Sequence, residues 1–248
     1  MRIAYIVPGI GLHAGEVERR QSILRRLAYR ESSVDVITVN EGPYTIESGI
    51  EEEYAAVSYL SKLYEIEENY DAFIVGCFGD PGLRAARELI SKPVIGPGEA
   101  SYAIASVIAR RFAVLTPLTT TIPITWSQID AYGYSSRVYD VISLDLKVAD
   151  IQKKGEDLIR LIVEKVKNVV GFGKAEALVL GCMSMGFAMV DETLTSKLRI
   201  PVINPLKIAL KLAEALAYLN LTHSKLSYPT PDLTKLGHLI PVSRTLRR

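Results

Sequence analysis

Cysteine is scarce in this chain: two in 248 residues, with one tryptophan and three histidines. Two thiols in so long a chain exclude a disulfide framework. Without a nearby histidine or a second pair they also fall short of a zinc site, so no metal is expected. No charge of one sign dominates, because 29 Lys and Arg against 28 Asp and Glu leave a formal charge of +1. Lacking a basic stripe or a polybasic segment, the sequence argues against nucleic acid and membrane surfaces as partners. No apolar run approaches the roughly 18–20 residues of a membrane-spanning helix. The opening MRIAYIVPGIG is broken by Pro8 and Gly9 and lacks a small-residue cleavage site, so it reads as a first strand rather than a signal peptide. A cytoplasmic setting is expected. Few Gln and Asn accompany abundant Glu, Lys and Arg, a bias found in thermophile proteins.

What the chain does have is the same unit twice. Asp71–Gly79 reads DAFIVGCFG and Glu176–Met185 reads EALVLGCMSM; each is an apolar run ending in Gly-Cys. Each is followed by Pro-Val-Ile, at Pro93–Ile95 and at Pro201–Ile203. Cys77 and Cys182, the only cysteines, hold equivalent places in the two copies. Two reactive side chains placed by duplication suggest one site shared between facing halves.

Continuous β-branched runs predict strands at Ile3–Val7, Val34–Val39, Ala72–Val75, Val94–Ile95, Phe112–Leu115, Val138–Ser143, Leu178–Leu180 and Val202–Ile203. Runs without alternation are the mark of parallel strands buried on both faces. Helical periods lie between them, at Glu16–Tyr29, Glu51–Glu68, Pro81–Ile90, Ser101–Arg110, Ile122–Ala131, Gly155–Val170 (stopped by Gly171) and Leu206–Leu219. The order is βαβαβαβ taken twice. It predicts an α/β fold of two pseudo-symmetric domains, each a small parallel sheet with helices on both faces and the site in the cleft between them. Residues 1–98 form the first domain, completed by the C-terminal helix and tail over 206–248, and residues 99–205 form the second. The tail Tyr228–Arg248 reads as an extended segment covering a surface or an oligomer contact.

In such sheets ligands bind beyond the carboxyl ends of the strands, where both cysteines fall. Asp80-Pro81 looks like a helix start, with Asp80 as N-cap and Pro81 as the first helical residue. A positive helix end and free N–H groups near Cys77 would lower its thiol pKa. The competing reading is that both cysteines only pack in the core. Thr116 and Thr119–Thr121 could offer hydroxyls to a ligand or cap the helix ahead of Pro123. Tyr44 is a pocket wall or an ordinary surface residue. Of the histidines, His13 follows the first strand on the cleft side; Trp126 is a packing residue. Gly9 and Gly11 do not complete a dinucleotide fingerprint.

The run Cys77-Phe78-Gly79-Asp80-Pro81-Gly82-Leu83, then Arg87-Glu88-Leu89, Pro93-Val94-Ile95-Gly96 and Glu99-Ala100, resembles the signature of hydantoin racemases, within the aspartate/glutamate racemase superfamily. Gly42-Pro43 with Ile46-Glu47-Ser48 is similar to a family segment bordering the pocket, and Leu180-Gly181-Cys182 with Met185 to the second cysteine motif. The resemblance spans nearly the whole chain. It implies Cys77 and Cys182 as an acid/base pair, a small-molecule substrate, no cofactor and a homo-oligomer. Where many hydantoin racemases carry Asn-Pro-Asn-Thr, this chain has Val7-Pro8-Gly9-Ile10 and so lacks those polar groups.

The expected activity is inversion of a carbon next to a carbonyl, in 5-substituted hydantoins or related amino-acid derivatives. One thiolate removes the proton and the other thiol returns one to the opposite face. Backbone N–H groups around Phe78, Gly79 and Asp80, and around Met183 and Ser184, would hold the carbonyl oxygens. Gly9, Tyr44 and Thr116 complete the expected binding residues. The alternatives are an aspartate/glutamate-type racemase or another isomerase of the superfamily, and, from a different class, a non-catalytic two-lobed ligand-binding protein.

Overall fold

The computed structural model describes residues 1–239. Its first half runs β1 (Arg2–Val7), α1 (Ala14–Leu27), β2 (Ser33–Thr38), α2 (Gly49–Ile66), β3 (Ala72–Val75), α3 (Leu83–Leu89) and β4 (Val94–Ile95). Next come α4 (Pro97–Ile108), β5 (Phe112–Thr116), α5 (Ile122–Ala131), β6 (Val138–Ser143), α6 (Val148–Ile151) and α7 (Glu156–Val166). Then follow β7 (Ala177–Leu180), α8 (Met183–Phe187), α9 (Asp191–Leu198), β8 (Val202–Ile203) and α10 (Pro205–Tyr218). The strands form two four-stranded sheets, ordered β2-β1-β3-β4 and β6-β5-β7-β8. All the pairings within them are parallel. The two orders are the same order displaced by four strands, so the repeated sequence unit is a repeated topology.

The expected strands all form, because their side chains are buried on both sides: every residue of β3, β5 and β7 is buried. Helix limits moved where end chemistry overrode the period. α1 begins early because His13 Nδ1 accepts the Glu16 N–H at 3.3 Å. α4 begins at Pro97, ahead of the expected Ser101. α7 stops at Val166, before Gly171 acts as a breaker.

Two helices cross between the sheets. α4 follows the first sheet, yet its Tyr102 and Ala105 pack with Phe112, Val114 and Val179 of the second. α10 follows the second sheet, yet its Leu206, Ala209, Leu210 and Ala213 pack with Ile3, Tyr5, Ile74 and Ile95 of the first. Beyond α10 the chain lies along the first half. Thr222 Oγ1 donates to Ser91 O at 2.6 Å, Lys225 Nζ donates to Arg87 O at 2.8 Å, and Arg87 Nη1 donates to Tyr228 Oη at 3.2 Å. The last part of the tail expected to cover a surface, residues 240–248, lies outside the described residues. Among the described residues no helix is long and apolar enough to cross a membrane.

Candidate active site

Each cysteine is placed by the glycine before it. Gly76 N–H donates to Ile6 O at 2.7 Å and Gly181 N–H to Leu115 O at 2.8 Å, so both strand ends press against the neighbouring strand. A Cβ on Gly76 would lie 2.4 Å from Ile6 O, and one on Gly181 2.8 Å from Leu115 O. Only glycine allows that approach. The residue after each cysteine then reaches into the opposite half: Phe78 packs with Tyr102 and Phe112, and Met183 with Tyr5 and Leu206.

The loops beyond the strand ends enclose one cavity of about 440 Å³. Cys77 and Cys182 both line it, as do Gly9, Tyr44, Phe78, Gly79, Thr116, Met183 and Ser184. Tyr44 stands at the mouth, 78% exposed. Across the mouth, Glu47 Oε1 accepts the Val148 N–H at 2.9 Å, tying a first-half loop to the second half. Thr116 and Thr121 share a hydroxyl hydrogen bond of 2.6 Å on the cavity wall. Thr119 turns instead to Ser143 and Asp145. Neither capping nor a free hydroxyl row describes the threonines; they form a short 3₁₀ turn, Thr119–Thr121, with no side-chain cap.

Asp80 corrects the sequence reading. It is buried at φ 56° and is not on the cavity wall. It does not cap α3, whose N-cap is Gly82. Its carboxylate instead accepts Gly98 N–H at 3.0 Å, Glu99 N–H at 2.8 Å and Tyr132 O–H at 3.0 Å. It therefore caps α4, the helix that crosses to the other sheet. Burial pushes its carboxyl pKa up to about 7, against those three donors.

The thiols are corrected too. Burial pushes both thiol pKa values up, and for Cys77 this is the reverse of the lowering expected from a helix end. α3 starts too late, and with Asp80 beside it, to supply a positive field at Cys77. Opposing the burial, a backbone N–H from Gly79 donates to Cys77, and those of Met185 and Ser184 to Cys182. Those of Gly79 and Ser184, expected to hold carbonyl oxygens, face sulfur; that of Asp80 donates to Cys77 O at 3.2 Å. Beyond this, Glu52 raises Cys77 further, whereas Arg20 lowers Cys182.

Arg20 and Glu52 line the cavity and were not singled out from the sequence. Arg20 is buried, its Nε donates to Glu16 Oε1 at 2.8 Å, and its guanidinium lies 4.6 Å from the centre of the Phe187 ring. Its signal was available: with Val17 and Leu24 it shares the buried stripe of α1, where a charge is out of place. Glu52 sits in the run Glu51–Glu53, which gives no such signal. Among the described residues no group of three or more His, Cys, Asp or Glu is placed to hold a metal ion.

The sequence profile of the Asp/Glu/Hydantoin racemase family matches residues 17–213. The chain is 33% identical over 207 residues to a hydantoin racemase of Pseudomonas sp. (strain NS671), covering 83% of this chain and 82% of that one. Among solved structures, an allantoin racemase from Klebsiella pneumoniae superposes with a TM-score of 0.84 at 31% identity, over 97% of this chain and 99% of its own. A glutamate racemase from Francisella tularensis, 20% identical, shares the fold with a TM-score of 0.61, over 90% of this chain and 84% of its own. These likenesses overturn the reading as a non-catalytic two-lobed binding protein. The chain belongs to the Asp/Glu/Hydantoin racemase family and is an enzyme of the racemase and isomerase class.

Proposed function

We propose that the protein is a cofactor-independent racemase of 5-substituted hydantoins or related amino-acid derivatives, using Cys77 and Cys182 as its two bases. The observation that carries this reading is that the two cysteines of the chain line one cavity, each at the end of an equivalent strand. With substrate between them, one sulfur as thiolate takes the proton from the ring carbon. The bonding pair passes into the adjacent carbonyl as an enolate, and the opposite thiol delivers its proton to the other face. The sulfurs have exchanged protonation states, and the reverse enantiomer resets them.

Raised thiol pKa values keep both sulfurs mostly protonated at neutral pH. The N–H groups aimed at each sulfur stabilise the thiolate when it forms. The Thr116 hydroxyl lines the same space and, turned away from Thr121, could donate to the enolate oxygen. An aspartate or glutamate substrate would need a free cation for its carboxylates. Arg20 is engaged with Glu16, and Lys153 with Asp150, so the wall favours a less charged ring.

Polarimetry on single enantiomers of a hydantoin panel and of free aspartate and glutamate tests this. Racemisation of hydantoins, unaffected by a chelator and abolished by a thiol-alkylating agent, is expected. Turnover of only the free amino acids would overturn the substrate class. We further propose a homo-oligomer, to be checked by light scattering.

A further inference from the structure

Among the described residues, one carboxylate on the cavity wall has no hydrogen-bond partner. Glu52, on α2, lines the cavity beside the loop that carries Cys77. Its carboxylate lies so close to Gly79 that a Cβ there would sit 2.9 Å from Glu52 Oε1. The other cavity carboxylates are engaged: Glu16 accepts from Arg19 and Arg20, and Glu47 accepts the Val148 N–H. Among the described residues Glu52 accepts no side-chain or backbone donor. A partly buried carboxylate without a donor is costly to the folded protein, and its position beside the Cys77 loop gives it a ligand to meet.

We propose that Glu52 is a substrate-recognition residue that accepts the N1–H, next to the reacting carbon, of a cyclic ureide held between the two cysteines. The inference rests on the racemase reading above and narrows it to substrates that present an N–H donor at this edge of the ring. A dicarboxylic amino acid would bring like charge against the same wall.

Burial, with Glu53 adding to it, pushes the Glu52 carboxyl pKa up to about 7. The carboxylate, the better acceptor, therefore predominates only above that pH, and recognition weakens as pH falls through it. The groups facing this titration are Glu53 on its own helix and Cys77 beyond β3. Across the cavity stand His13, Glu16, Arg20, Glu47, Lys153 and Cys182.

The test uses Glu52→Gln and two ligands, a 5-substituted hydantoin and its N1-methyl derivative, with both calorimetric binding and racemisation as readouts. Weakening a charge-assisted hydrogen bond should lower affinity and kcat/KM for the free hydantoin by roughly 10- to 100-fold. The N-methyl compound should be weak in the wild type and little changed by the substitution. The wild-type tightening of hydantoin binding through about pH 7, read by calorimetry, should vanish in Glu52→Gln. Equal losses on both ligands, or an unchanged pH limb, would make Glu52 structural and overturn the inference. Hydantoin binding that depends on Glu52 without any turnover would uphold it while sinking the racemase reading. No binding at all would sink both. A thermal melt of Glu52→Gln at or above the wild type shows that the fold is intact.

Discussion

Cys77 and Cys182 end equivalent strands, follow equivalent glycines and face one cavity, yet their electrostatic surroundings are opposite. Cys77 has Glu52, and behind it Asp80, raising its pKa; Cys182 has Arg20 lowering it. The duplication therefore reproduced the backbone that delivers a sulfur while the charged neighbours diverged. A racemase must serve both enantiomers, so this difference would make the two proposed bases unequal. The two halves also anchor their crossing helices differently. Asp80 caps α4 from outside, whereas α10 is capped by its own Asn204, whose Oδ1 accepts Leu206 N–H at 3.0 Å.

The largest effect expected is from removing either sulfur. Cys77→Ser and Cys182→Ser should each lower racemisation by about 10³-fold or more, because a hydroxyl is too weak an acid and base at neutral pH. Each variant should keep deuterium exchange for one enantiomer only, with opposite preferences read by NMR. Matching preferences would break the two-sided comparison. Full activity in either variant would end that cysteine's role as a base.

Next in size is the helix anchor. Asp80→Ala leaves two N–H groups and the Tyr132 hydroxyl without an acceptor, at a cost of about 3 kcal/mol. Asn204→Ala removes a helix cap worth about 1–2 kcal/mol. Urea unfolding of both variants checks the order. The Asp80 carboxyl also has a pH signature. Its folded pKa of about 7 lies above the ordinary 3.8, so its stabilising contribution is full below about 3.8 and is lost as pH rises through 7.

The smallest effect separates the thiols by charge. Arg20→Met removes the cation near Cys182, and should raise that thiol's pKa and so lower its thiolate fraction. Alkylation rate against pH, followed by mass spectrometry in a Cys77→Ser background, should shift upward. The same substitution in a Cys182→Ser background should leave the Cys77 profile in place. Equal shifts would show that Arg20 acts on the whole cavity rather than on one side.

Much of this was legible in advance because it depends on neighbours in sequence. β5, β6 and β7 fall where continuous β-branched runs placed them, and α5 keeps its expected limits, Ile122–Ala131. Asp80 was misread because Asp-Pro is a sound local helix start. The stronger claim on its carboxylate comes from Gly98 and Glu99, which the chain brings back only after β4. Glu52 was missed because a run of three glutamates on a helix reads as a solvated face, and only the fold turns its middle member onto the cavity wall.

The sequence by itself determined the repeat, the parallel strands and the Gly-Cys placement, because strand burial and glycine's lack of a Cβ act over a few residues. Only the tertiary structure decided which sheet each crossing helix covers, where Asp80 points, and that the Cys77 thiol is raised rather than lowered. Those outcomes depend on burial and on charges brought together from distant parts of the chain, and neither is encoded in any local run of residues.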